Sequence, residues 1–145
     1  MKIYTIGVEK KSAEDFFQIL TQAGVEKILD IRLNNKSQLL GFSKGRDLKY
    51  FCEKCHGIKY EHVPLLAPSQ ELLKTFRANK DWTGYEKTFR EIMESRPMVE
   101  IFLKASEGMN SACLLCTEAS PKQCHRRLVA EYLAGRLEGL EVIHL

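Results

Sequence analysis

The sequence predicts an α/β fold: a single three-layer domain in which a mostly parallel sheet of about five strands carries helices on both faces. Short strand-like segments alternate with helical ones along the whole chain, which is typical of βαβ units. The second strand-like segment, 25–33, is almost continuously apolar at its centre, as strands buried on both faces of a parallel sheet are. A length of 145 residues suits one domain, 1–145.

The first two strands and the helix between them have clear boundaries. Residues 2–7 form the first predicted strand, which ends at Gly7. Ser12 opens a helix in a capping-box pattern, apolar residues follow at helical spacing, and Gly24 ends it. Residues 25–33 then form the second strand.

The next segment is predicted to be a long loop, 33–45, followed by a helix and a strand. Apolar residues repeat at helical spacing from Leu48 to Cys55, and Gly57 ends this helix. Residues 58–63 form the third strand. A loop of this length is longer than most connections, which favours a functional role.

The remainder of the chain is mostly helical. Residues 69–107 are helical by pattern, with a break at Pro97. Residues 111–116 form the fourth strand, 121–135 a helix and 140–145 a last strand. This order completes the alternation on which the fold prediction depends.

Polar residues stand at the predicted carboxyl ends of the strands. Parallel strands place these ends at one edge of the sheet, where ligands bind in α/β proteins. The residues concerned are Gly7, Asp30, Arg32, His62, Cys116 and Glu118. We therefore expect Asp30, Arg32 and His125 to lie near Cys116 in one pocket.

The segment 114–128, LLCTEASPKQCHRRL, carries the strongest chemical signal. Ser120 is a preferred N-cap and Pro121 suits a first helical position, so the helix should begin directly after the strand that ends at Cys116. A helix N-terminus stabilises a nearby thiolate and lowers its pKa. The alternative is that the thiols of this segment pack in the core and its histidine is buried and hydrogen-bonded.

The five cysteines are predicted to be reduced thiols of a cytoplasmic protein, because the count is odd and the chain does not begin like a secretory signal. The string Cys52 to His56 matches a haem-attachment motif, but Cys52 and Cys55 fall on the predicted apolar helix face. Cys113 and Cys116 should point to opposite faces of a strand. We therefore expect no haem, no zinc and no other cofactor.

Charge permits an anionic partner without requiring one. The net charge is +3, and no apolar run is long enough to span a membrane. Basic residues surround Phe42 in the stretch 32–46, a pattern found in phosphate-binding and nucleic-acid-binding surfaces. Most such loops are merely solvated. Nothing in the sequence specifies an oligomeric state.

Several stretches together resemble the family called domain of unknown function 488: YTIGV, DIRLNNKSQLLGFSK, YEHVPLLAP, LLCTEASPKQCHRRLVAEYL and VIHL. The resemblance implies a small α/β protein and places these residues on motif positions: Asp30, Arg32, Ser37, Cys116, Glu118, Cys124, His125 and Arg126. Many members read Gly-His-Ser after the first strand, where this chain has Val8 and Glu9 after Gly7, and many have proline where Asn35 stands. Two of its segments are also similar to rhodanese-type sulfur transferases, namely the Asp-Ile-Arg strand end and the loop from a cysteine to a helix.

Two hypotheses of different classes follow. In the first, the protein is a small-molecule enzyme. Cys116 is its thiolate nucleophile, His125 the base and Glu118 an orienting group. Its substrate-binding residues are Asp30, Arg32, Ser37, Cys124 and Arg126. In the second, the same edge and the basic loop hold a phosphate, a nucleotide or a nucleic acid without chemistry, and the cysteines are structural.

Overall fold

A computed structural model describes all residues, 1–145, and confirms the predicted fold class. Five strands form one sheet in the order β3-β2-β4-β1-β5, and every neighbouring pair is parallel. The strands are β1 (Lys2–Gly7), β2 (Lys27–Asp30), β3 (Lys59–His62), β4 (Ser111–Cys116) and β5 (Glu141–His144). Register pairs Gly7 with Cys116 and Asp30 with Leu115, so the carboxyl ends of three strands meet at one edge.

Six α-helices connect the strands. They are α1 (Ala13–Ala23), α2 (Gly45–Tyr50), α3 (Gln70–Asn79), α4 (Trp82–Glu94), α5 (Met98–Ala105) and α6 (His125–Ala134). Two 3₁₀ segments, Gln38–Ser43 and Pro64–Leu66, and one π-helical turn, Phe51–Cys55, complete the regular structure. None of the helices is both long and apolar enough to cross a membrane.

Two hydrophobic cores lie on opposite faces of the sheet, which makes three layers. Helices α3, α4, α5 and α6 cover one face, and α1 with α2 covers the other. Side chains alternate along β4 as strand geometry requires: Leu114 packs in the first core, whereas Cys113 and Leu115 pack in the second. Cys116 has the parity of Leu114 and therefore points to the face that α6 covers.

The predicted start of the last helix was wrong. Residues 117–124 form bends and turns, and α6 begins at His125 with Cys124 as its N-cap residue. The Ser120 hydroxyl accepts a hydrogen bond from the Lys122 N–H at 3.3 Å, which closes a local turn instead of capping a helix. Arginine side chains of α6 take up carbonyl groups of this segment, so tertiary contacts override its helix-start signals.

The region after β2 also differs from its prediction. Part of the expected loop 33–45 is the 3₁₀ segment Gln38–Ser43. In the helix that follows, Cys52 is buried but Cys55 is exposed, although the spacing placed both on one apolar face. A π-helical turn is wider than an α-turn and shifts the faces of the residues it contains. Cys55 is therefore the one cysteine with an exposed side chain, and the other four are buried.

Candidate functional site

Cys116 and His125 form a buried pair at the carboxyl edge of the sheet. Cys116 is the last residue of β4 and His125 the first of α6. The Cys116 Sγ atom lies 3.5 Å from His125 Nδ1. The Cys124 Sγ atom completes a trio in which the three ligating atoms lie within 4.8 Å of one another. Both thiols are almost fully enclosed, at 4% and 2% exposure.

The backbone determines the orientation of the His125 ring. Its Nε2 atom lies 2.8 Å from the carbonyl oxygen of Ile31, which can only accept a hydrogen bond. Nε2 therefore carries the proton, and Nδ1 presents its lone pair to the Cys116 thiol. The Phe89 ring packs against the imidazole at 88° and a centroid distance of 6.1 Å. This arrangement allows the imidazole to take the proton of Cys116.

The pKa values of the two neighbouring thiols are shifted in opposite directions. A hydrogen bond from the Cys124 thiol is the main cause that lowers the pKa of Cys116, and it outweighs burial. The backbone amides of Thr117 and Glu118 and the charge of Arg126 also lower the pKa of Cys116. The same hydrogen bond and burial raise the pKa of Cys124 well above its usual value. Cys116 is thus the thiol of the pair that loses its proton first, and Cys124 is the one that retains it.

Arg126 is a fully buried cation without a carboxylate partner. Its exposure is 0%, and none of the ion pairs of the chain includes it. The guanidinium donates to the carbonyls of Glu118 and Ala119 and to the Thr5 hydroxyl. Its Nη1 atom lies 3.9 Å from the Cys124 sulfur. Buried charges need compensation, and the Cys116 thiolate is the nearby anion that can supply it.

Gly7 makes room for this arrangement at the end of β1. A Cβ atom at this position would lie 1.7 Å from the Glu118 carbonyl oxygen and 2.6 Å from Arg126 Nη1. No side chain can approach a backbone atom so closely. The glycine that ended the first predicted strand is therefore a spatial requirement of the Arg126 site.

Gly7→Ala is expected to lower the free energy of unfolding by about 2 kcal/mol, because the 117–119 segment must move to admit the methyl group. Gly135→Ala is the matched control. A Cβ atom there would meet its nearest neighbour at an ordinary 3.5 Å, and its φ of −71° suits alanine. Urea denaturation of the two variants checks the prediction, and equal stability would contradict the close approach at Gly7.

Asp30 and Arg32 form a second buried pair beside the first. Arg32 donates from Nε to one Asp30 oxygen at 2.8 Å and from Nη2 to the other at 2.7 Å. Tyr60 and Asn35 also donate to Asp30, at 2.5 Å and 3.1 Å. Burial opposes the charge of Asp30, but these partners hold its pKa below the ordinary value. The Ser43 carbonyl occupies a further Arg32 donor at 2.7 Å, so this guanidinium is largely engaged within the protein.

A cavity of about 270 Å³ opens above Cys116. Five of the residues singled out in the sequence line it: Arg32, Cys116, Glu118, Cys124 and His125. Asp30 lies behind Arg32, and Arg126 lies behind the thiols, so both act on the cavity through other groups. Ser37 is not part of it. It is exposed at the start of the 3₁₀ segment, where its hydroxyl accepts a hydrogen bond from the Leu39 N–H.

The sequence patterns did not predict the opposite wall of the cavity. It consists of aromatic residues of α3 and α4, namely Phe76, Trp82 and Tyr85, with Arg77 and Lys80 beside them. Phe76 and Tyr85 have the helical spacing of residues on an apolar face, which does not distinguish a cavity wall from the core. Their position opposite Cys116 depends on how the α3–α4 hairpin crosses the sheet, and no local sequence pattern encodes that crossing.

The trio of Cys116, Cys124 and His125 is also the donor set of a soft cation such as zinc or copper(I). The other three cysteines lie elsewhere: Cys52 and Cys113 pack in the second core, and Cys55 is exposed. The Arg126 guanidinium, 3.9 Å from the Cys124 sulfur, opposes a bound cation. The expectation of a protein without haem or zinc stays a prediction.

Comparison with known proteins places the chain in a family. No curated protein and no solved structure matches it. The family model described as "Domain of unknown function DUF488" matches residues 12–133, which include α1, the Asp30–Arg32 pair and the whole Cys116 trio. The protein therefore belongs to the DUF488 family.

Proposed function

We propose that this protein is a thiol enzyme in which Cys116 attacks an electrophilic centre of a small molecule bound in the cavity. One observation carries the proposal: a cysteine sulfur with a lowered pKa, in contact with an imidazole lone pair, lies at the floor of a cavity. A nucleophile next to an oriented base is the recurring arrangement of covalent catalysis.

The tautomer of His125 determines where the proton of the Cys116 thiol goes. The Cys116 thiol passes its proton to Nδ1, which leaves a thiolate beside an imidazolium whose Nε2–H still donates to Ile31. The thiolate attacks the substrate, and the bond to the leaving group breaks. The imidazolium then returns its proton to the leaving group. Arg126 stabilises the thiolate state because its buried charge needs an anion.

Cys124 and Glu118 have supporting roles in this proposal. The Cys124 thiol donates to the thiolate before attack, and it stands close enough to accept a transferred group afterwards. The Glu118 side chain lines the cavity, where it orients the substrate or a neighbouring cation. Arg32, held by Asp30, contributes a positively charged wall that favours an anionic substrate group.

Covalent trapping tests the proposal. The protein is treated separately with thiosulfate and with p-nitrophenyl acetate, and intact-mass spectrometry then looks for one added sulfur atom or one added acetyl group. We expect at least one of the adducts on Cys116, its absence in Cys116→Ser, and slower formation in His125→Asn. Equal modification of wild type and Cys116→Ser would sink the idea that Cys116 is the nucleophile.

A second candidate function has its own observation. A shallow depression of about 460 Å³ beside β3 is lined by four cations, Lys36, Lys44, Arg46 and Lys49. Of these, only Lys44 has a carboxylate within ion-pair distance, Asp47 at 3.8 Å. We propose that this basic face binds phosphate groups of a nucleotide or a nucleic acid, independently of Cys116.

Salt dependence tests the basic face. Binding of a fluorescent single-stranded oligonucleotide should weaken steeply between low and physiological salt, because phosphate contacts release counterions. Lys36→Ala and Arg46→Ala should each weaken binding and flatten the salt dependence, whereas Lys104→Ala, an exposed lysine on α5, should not. If neither salt nor these substitutions change the affinity for the oligonucleotide, this face is not a phosphate-binding surface.

A further inference from the structure

The α3–α4 hairpin presents a compact aromatic surface to the thiols. Trp82 and Tyr85 stack at a centroid distance of 5.0 Å and 20°, and Phe76 packs against both at 5.9 Å and 5.1 Å. Phe76 and Trp82 are only half-buried, so each leaves ring surface to the cavity. Aromatic walls of this kind favour a flat ring in offset or edge contact. A volume of about 270 Å³ suits one ring with a short substituent.

Tyr85 has a hydroxyl group that no other group of the protein uses. The residue is 4% exposed, yet its oxygen forms no hydrogen bond within the chain. The other buried tyrosines are all satisfied: Tyr4 donates to Ala23, Tyr60 to Asp30 and Tyr132 to Glu94. No fully enclosed side-chain oxygen lacks a partner, so the Tyr85 hydroxyl is not fully enclosed, and Tyr85 lines the cavity together with Cys116 and Cys124. A buried tyrosine with a free hydroxyl at a cavity indicates a hydrogen bond to a ligand.

The hydroxyl also belongs to the same electrostatic environment as the thiols. Burial, and then the negative charge of the ionised Cys116 thiol, raise the pKa of Tyr85. The phenol therefore stays protonated and can donate. A substrate that fills the space between this hydroxyl and Cys116 meets a hydrogen-bond donor opposite the attacking sulfur.

Two cations at the mouth lack partners as well. Arg77 and Lys80 line the cavity and take part in no ion pair, and Glu118 is the one carboxylate on the lining. The Lys80 ammonium lies 5.9 Å from the centroid of Phe76, at the edge of the aromatic wall. An anionic group attached to a ring on this wall would therefore lie beside the two cations.

Lys80 occupies a position where glycine is the common residue. It ends α3 in the left-handed conformation with φ 56°, and its N–H closes the helix at the Phe76 carbonyl. The hairpin thus keeps a lysine where backbone conformation favours glycine. This position also makes a useful variant, because Lys80→Gly removes the cation and relieves the backbone in one change.

We propose that the cavity selects an electrophilic substrate that joins one planar aromatic or heteroaromatic ring to an anionic group. The ring lies on Phe76 and Trp82, the anion meets Arg77 and Lys80 at the mouth, and the reacting atom lies between Cys116 and the Tyr85 hydroxyl. This substrate class rests on the proposed thiol chemistry at Cys116. The aromatic wall and the two cations are the features that select the substrate.

The test compares four alkylating reagents on a Cys55→Ser background, which removes the exposed thiol. The reagents are iodoacetamide, iodoacetate, N-phenyliodoacetamide and 4-(iodoacetamido)benzoate, which vary the ring and the charge independently. In each reaction the Cys116 sulfur displaces iodide and forms a thioether. Rates at Cys116 are read by peptide mass and divided by the rates of free glutathione with the same reagent.

The aryl anion should show a normalised rate at least about tenfold above that of iodoacetamide. Trp82→Leu should remove the preference for the ring. Arg77→Gln and Lys80→Gly should remove the preference for the anion, and Lys80→Gly should raise the melting temperature as well. Tyr85→Phe should slow both aryl reagents. Lys74→Gln is the matched control, since this exposed lysine of α3 does not line the cavity.

Failure of the substrate class differs from failure of the thiol chemistry. Normal reaction with iodoacetamide, combined with no preference above glutathione for the aryl anion, would overturn the substrate class alone. If Cys116 is inert to all four reagents, the substrate class is tested by measuring whether unreactive 4-acetamidobenzoate binds to the Cys116→Ser variant. Trp82 is the single tryptophan, so its fluorescence reports occupancy of the wall. If 4-acetamidobenzoate binds and Lys80→Gly weakens the binding, the result supports the substrate class but not Cys116 as the nucleophile. If it does not bind, both the substrate class and the thiol chemistry are overturned.

Discussion

Arg126→Met is expected to lower the free energy of unfolding by about 3 kcal/mol. The substitution leaves the Glu118 and Ala119 carbonyls without their buried donor, and each unsatisfied group costs about 1–3 kcal/mol. The Thr5 hydroxyl also loses its contact with Arg126 but keeps His144 as a partner at 2.6 Å. Removal of a buried charge returns part of this cost, so the net loss falls below the sum. Urea denaturation near neutral pH measures the difference.

Arg127→Met is the matched control for this change. Arg127 is the next residue of α6, but it lies at the surface, where it pairs with Glu131 at 2.9 Å and with Glu86 at 3.7 Å. Surface ion pairs contribute little, so we expect a loss under about 1 kcal/mol. Similar losses for both variants would show that the buried contacts of Arg126 do not support the fold. Arg126→Met should also raise the pH at which Cys116 becomes reactive, because its charge lowers the pKa of that thiol.

Cys116 is expected to react with iodoacetamide at pH 7 far faster than the other buried cysteines. Burial raises the pKa of Cys52 to about 12 and raises the pKa of Cys113 as well, whereas the pKa of Cys116 is held below the ordinary value of a thiol. Each unit of pKa difference changes the thiolate fraction about tenfold at a pH below both pKa values. Native labelling read by peptide mass should therefore find Cys116 modified at least about 100-fold faster than Cys52.

The labelling rate of Cys116 should rise with pH. Because the pKa of Cys116 is lowered, its labelling rate should reach a plateau at a lower pH than the rate of an ordinary thiol, and it should fall as the pH drops through that pKa. Cys124→Ala removes the hydrogen bond that lowers this pKa, so the plateau should move to higher pH. Cys124→Ser keeps a hydroxyl donor and should move it less. Labelling of Cys116 only after unfolding would contradict the nucleophile assignment and favour structural thiols.

The sequence alone determined the sheet and the edge at which the site lies. Alternating strand and helix patterns are local properties, and the rule that parallel strands share their carboxyl edge brings Gly7, Asp30 and Cys116 together without coordinates. The pairing of Arg127 with Glu131 follows in the same way from the geometry of one helix. The resemblance to the family also rests on the sequence, and the family model confirms it.

Tertiary structure decided how these residues are used. The N-terminus of α6 moved from the predicted 121 to His125, because Arg126 and Arg127 bind the carbonyls of the preceding turn. His125 is therefore the first residue of α6, and its Nδ1 atom lies 3.5 Å from the Cys116 sulfur. The exposure of Cys55 likewise depends on a π-helical turn that side-chain periodicity does not encode.

The aromatic wall is the clearest case of a feature that only the three-dimensional structure shows. Phe76 and Tyr85 have the spacing of core residues, and most of Tyr85 is indeed buried. The unpaired Tyr85 hydroxyl and the position of Trp82 above the thiols depend on the crossing of the α3–α4 hairpin over the sheet. That crossing results from many long-range side-chain contacts. A pattern within one segment describes which face of a helix is apolar, but not what lies opposite that face.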